Sequence, residues 1–70
     1  MTTVETITKE VDRLTDILLA GGSISDGSRL YGQDDIKRLM AENSFSEWES
    51  AHTLSQSVWL IRINDGRESL

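Results

Sequence analysis

The single histidine, His52, has Glu49 three residues before it and Ser55 three residues after it. Hydrolytic chemistry needs a nucleophile, a base and an orienting acid within hydrogen-bond reach of one another. On a helix, Glu49 and His52 would share a face. That spacing also arises readily by chance, and the simpler reading is a histidine paired with a carboxylate at the edge of a domain. No Gly-x-Ser-x-Gly elbow and no phosphate-cradling glycine loop accompanies it; Gly21, Gly22, Gly27 and Gly32 read as turn residues. Asp26, Asp34 and Asp35 offer oxygens to a hard cation, but their spacing does not fit a calcium-binding loop. Asp34-Asp35 is more simply the charged start of a helix. With no cysteine and one histidine, thiolate and multi-histidine metal sites are excluded. The residues therefore point to a non-enzyme with no catalytic, cofactor or metal site.

What remains is contact chemistry. Trp48 and Trp59, with Phe45 and Tyr31, could form a base-stacking platform, but such platforms sit in basic grooves. Between Arg38 and Arg62 there is no lysine or arginine, while Glu42, Glu47 and Glu49 fall in that interval. Tryptophan is enriched at protein-binding hot spots. Trp48 is assigned the outward role, because Trp59 shares a face with Ile61 and Ile63 in the alternating stretch described below. The candidate protein-binding surface is Glu42, Phe45, Glu47, Trp48, Glu49 and His52. Acidic groups on the first helix, Glu5, Glu10, Asp12 and Asp16, and the group Glu42, Glu47 and Glu49 could imitate nucleic acid, although an ordinary solvated face explains them as well.

Composition narrows the partners. Twelve acidic against seven basic residues give a formal net charge of −5, which opposes binding to phosphate backbones or anionic lipid; nucleic acid is not expected as a partner. No apolar run approaches the ~18 residues of a membrane span, and Met1-Thr2-Thr3-Val4-Glu5 has neither the basic nor the apolar region of a signal peptide. A cytoplasmic location and no membrane partner are expected. Seventy residues make one small domain, with a typical stability margin of roughly 3–5 kcal/mol when no disulfide or metal staples it. Self-association is another route to buried area, so a homodimer is expected, with Val4, Ile7, Val11, Leu14 and Leu18 as its interface.

Those five residues belong to the clearest element. Their 3-4-3-4 spacing lays one apolar stripe along a helix over Val4–Leu19. Thr2 and Glu5 have capping-box spacing, Glu5 and Lys9 have the favourable i, i+4 order, and Gly21-Gly22 supplies a left-handed stop. Residues 23–32 connect, either as a loop or as a hairpin in which Ile24 and Leu30 flank an Asp26-Gly27 turn. A second helix begins near Gln33-Asp34-Asp35, with Ile36, Leu39 and Met40 inward, and stops at Asn43-Ser44. Ser44 and Glu47 suggest a cap for a short third helix over residues 45–53. Residues 58–63 alternate Trp59, Ile61, Ile63 with Val58, Leu60, Arg62, which predicts a strand, turned by Asn64-Asp65-Gly66 into a brief return over residues 67–70.

The expected fold class is α+β, in the order helix, short strand or loop, helix, helix, β-hairpin. That order resembles a winged helix by topology alone, since no sequence motif identifies a family. A winged-helix DNA-binding regulator would need Arg29, Lys37, Arg38, Arg62 and Arg67 to converge, and its reading helix would carry glutamates where phosphates should lie. The favoured function is a small acidic protein-binding regulator or inhibitor, of the kind phage and mobile elements use to block a host enzyme or complex.

Overall fold

The computed structural model describes residues 4–64, in the order α1 (Val4–Leu19), β1 (Ile24–Ser25), β2 (Leu30–Tyr31), α2 (Gln33–Asn43) and α3 (Glu47–Asn64). Helix α1 forms over the predicted span and buries Val11, Leu14 and Leu18. Thr15 is buried beside them because its hydroxyl donates to the Val11 carbonyl at 2.8 Å, which removes the cost of hiding it. The Glu5–Lys9 pair forms at 3.6 Å. Of the predicted Thr2–Glu5 cap, Thr2 lies outside the described residues. The helix ends in a Schellman motif: Gly22 N–H donates to the Ile17 carbonyl at 2.9 Å and Gly21 N–H to that of Leu18 at 3.1 Å. Gly21 has φ 93°, a left-handed conformation that side chains oppose.

The connector is a hairpin, pairing Ile24 with Tyr31 and Ser25 with Leu30 in a two-stranded antiparallel sheet. Asp26 shapes the turn. Its Oδ1 accepts from the N–H groups of Ser28 and Arg29 at 2.8 and 2.9 Å, and Gly27 takes φ 96°. Helix α2 starts where Asp34-Asp35 predicted, with the Gly32 N–H donating to Asp35 Oδ2 at 3.1 Å. It ends at Asn43, and Ser44 follows with φ 57°.

The C-terminal third departs from expectation. Residues 58–63 are helical, so the third helix is not short; it runs over Glu47–Asn64. Among the described residues the fold is three helices with one tiny sheet rather than α+β with a C-terminal hairpin. The proposed return over residues 67–70, with its turn beyond Asn64, lies outside the described residues. Without a strand after Tyr31 among the described residues, the winged-helix order is not formed. The physical reason is local. A true capping box at Ser46 and Glu49, in place of the predicted Ser44 and Glu47, starts the helix: Glu49 N–H donates to Ser46 Oγ at 3.1 Å and Ser46 N–H to Glu49 Oε1 at 3.0 Å. No glycine or proline interrupts the chain from there to Asn64. An apolar run such as Val58-Trp59-Leu60-Ile61 fits either period, and the helix already under way decides it.

Three hydrogen bonds and one short loop set the direction of the helices. Gln33 Nε2, at the start of α2, donates to the Leu18 carbonyl near the end of α1 at 2.7 Å. Arg62 Nε, near the end of α3, donates to the Ser25 carbonyl at 2.8 Å, and Arg29 ties the hairpin to Asp35 of α2 at 2.9 Å. The hairpin therefore gathers the end of α1, the start of α2 and the end of α3. The three-residue step from Asn43 to Glu47 then turns the chain back, so α1 and α3 run parallel and α2 opposes both. The core they enclose contains Val11, Leu14, Leu18, Ile24, Ile36, Ala51, Leu54, Val58 and Trp59. Ser50, Ala51 and Ser55 are all fully buried on α3, small residues that let the helices approach closely. Ser55 Oγ is satisfied by donating to the Ala51 carbonyl at 2.8 Å.

Candidate interaction site

Helix α3 has an inverted pattern. Serines 50 and 55 are buried, while Trp48 is 53% exposed and Leu60 is 59% exposed. One row of side chains at i, i+4 spacing, Trp48, His52, Gln56 and Leu60, runs along the side of the helix away from Leu54. Three of these four, with Trp59, form one wall of a groove of about 520 Å³; Ile7, Thr8 and Val11 of α1 form the other. The indole of Trp48 stacks on His52, centroids 4.5 Å apart and planes 14° apart, which extends the wall by one turn. Within that wall Trp59 is 4% exposed, and its buried indole N–H has no acceptor among the described residues. A buried donor left unpaired costs free energy.

The predicted binding surface is only partly assembled. Trp48, Glu49 and His52 fall on successive sides of one helical turn, with Trp48 and His52 on the groove row. Trp48 is exposed and Trp59 buried, as assigned, although Trp59 reaches the core from a helix. Glu47 and Glu42 are exposed and Phe45 is half-buried in the loop before α3; none of the three lines the groove. Gln56, Trp59 and Leu60 were missed. Reading residues 58–63 as helix would have revealed them, because the Trp48–Leu60 row is visible only at that period.

Of the five residues assigned to a dimer interface, Val11, Leu14 and Leu18 are 5%, 2% and 0% exposed within a single chain. Val4 is 81% exposed, and Ile7 is half-buried on the groove wall.

The polar clusters have structural partners. Glu49 caps α3, and its bonds to the N–H and hydroxyl of Ser46 hold its carboxyl below the usual range. Arg29, Arg38 and Arg62 are also engaged. Arg29 and Arg38 both donate to Asp35 Oδ1, at 2.9 and 3.1 Å, and Arg29 lies over the Tyr31 ring at 4.8 Å. Arg62 holds the hairpin. Among the described residues, no group of three His, Cys, Asp or Glu side chains is placed to hold a metal ion, and no helix is long and apolar enough to cross a membrane. No known protein family, no characterised protein and no solved structure matches this chain.

Proposed function

We propose that this chain is a non-enzymatic protein-binding regulator or inhibitor, acting by contact through the face of α3 that carries Trp48, His52 and Leu60. The observation that supports this reading is the inverted pattern of α3: two large apolar side chains face solvent while two serines occupy the core. Exposed apolar residues scattered singly need no explanation. Here they lie on one row, beside a groove with an apolar lining on both walls. Tryptophan in such a position is a favourable anchor, because it buries a large rigid surface at little entropic cost. The partner is modulated by occlusion of its own surface, as small acidic phage or mobile-element proteins would do to a host enzyme.

The test is affinity capture from the source cell with three baits: the native chain, Trp48→Ala and Leu60→Ser. Both positions are more than half exposed, so either variant should fold. A protein enriched by the native bait and lost from both variants supports the reading. Identical captures from all three baits would remove it.

A further inference from the structure

We propose that the α1–α3 groove is the seat of one amphipathic helix from a partner protein, apolar on the side that enters and cationic along its flanks. This rests on the protein-binding reading and names the occupant of the same face.

Shape supplies the first argument. The groove lies between two parallel helices, and the row from Trp48 to Leu60 spans twelve residue steps, about 18 Å. A partner helix of three to four turns would cover that length, inserting apolar side chains at i, i+3, i+4 and i+7 between Ile7, Val11, Trp59 and Leu60. An extended strand fits less well, because both walls are helices whose backbone groups are already paired internally.

Charge supplies the second argument. On the groove side of α1 the solvent-facing positions after Thr8 are Asp12 and Asp16, with Glu5 preceding. Glu5 is offset by Lys9; Asp12 and Asp16 are not accompanied by a second lysine on that arc. On the α3 side the row is bordered by Glu49, and the arc from Trp48 to Leu60 carries no lysine or arginine. The α1 flank of the apolar channel is therefore acidic, and the α3 flank carries no cation to offset it. A second copy of this chain seated face to face would bring these flanks together, and like charges in contact oppose such a pairing. A cationic amphipathic helix satisfies both features.

The full chain can be titrated with fluorescein-labelled fourteen-residue peptides of leucine and lysine in helical amphipathic order, of leucine and glutamate in the same order, and of leucine and lysine scrambled. Anisotropy should show binding of the ordered lysine peptide only, weakened by salt. Leu60→Ser should weaken it about tenfold or more, since a buried leucine side chain is worth at least that factor. Leu30→Ser, at a leucine still more exposed but on the hairpin, should leave it unchanged. Asp12→Lys with Asp16→Lys should shift preference toward the glutamate peptide. Equal binding of the scrambled peptide, or indifference to Leu60→Ser, would overturn the proposal. So would sedimentation showing a dimer of the native chain that Leu60→Ser dissolves, which would make a second copy the occupant. If capture depends on Trp48 and Leu60 while the lysine peptide does not bind, the occupant's chemistry is wrong and the protein-binding reading stands.

Discussion

The Tyr31 hydroxyl donates to Asp26 Oδ2 at 2.7 Å, joining the second strand of the hairpin to the residue that forms its turn. The bond acts on both groups. It is the leading reason the Asp26 carboxyl is held below its ordinary value, with the Ser28 and Arg29 amides adding to it, and the leading reason the Tyr31 hydroxyl is raised above its own. A carboxyl lowered by folding stabilises the fold above the unfolded value of 3.8, and that contribution is lost as pH falls through the lower folded value. A phenol raised by folding contributes fully below 10.0 and ceases to contribute as pH rises through its higher folded value. Tyr31→Phe should therefore flatten the profile, lowering stability at neutral pH while the further losses on acidification and at high pH become smaller, measured by urea unfolding across pH.

Asp35 receives three donors, from Gly32 N–H, Arg29 and Arg38. Both arginines are more than half exposed, so each pair alone is weak. The backbone bond and the carboxylate at the start of α2 carry more. Asp35→Ala is expected to cost about 1–2 kcal/mol, with hydrogen exchange accelerating first in the hairpin and in the first turn of α2.

Leu14 is 2% exposed. Leu14→Ala should cost about 2–5 kcal/mol, most of the roughly 3–5 kcal/mol margin of so small a domain. Circular dichroism should show it partly unfolded at ambient temperature. Leu14→Asp and Val11→Asp, which bury an unpaired charge, should not fold; a folded Leu14→Asp variant would mean that the stripe does not form the core.

Ser50 is fully buried and its hydroxyl has no partner among the described residues. Ser50→Ala removes that unsatisfied group without opening a sizeable cavity, so it should stabilise by about 1 kcal/mol. A rise in the thermal midpoint checks it.

The first two-thirds of the fold was legible because each element carried its own punctuation. The stripe of α1 and its Gly21-Gly22 stop, the Asp26-Gly27 turn, and the acidic start and Asn43 end of α2 are all local signals. The last third was not. Val58, Ile61 and Ile63 are β-branched and favour strands when taken alone, and their alternation imitates one. What overrode them was a cap twelve residues upstream, at Ser46. The candidate site suffered from the same error. Trp48 and His52 could be chosen by residue type, but Gln56 and Leu60 join them only if the helix continues. Ile7 and Val11, read as a self-association stripe, form the opposite wall because of a packing angle that no local pattern encodes.

The contrast between the two tryptophans makes the molecule its own pair of spectroscopic reporters. Trp59, sealed in the core, emits according to whether the chain is folded. Trp48, in solvent against an imidazole, emits according to what has settled beside it. In a Trp48→Phe chain without a partner, Trp59 alone would follow unfolding, and the native chain would add the response of Trp48 to docking, with no dye attached and the groove lining unchanged.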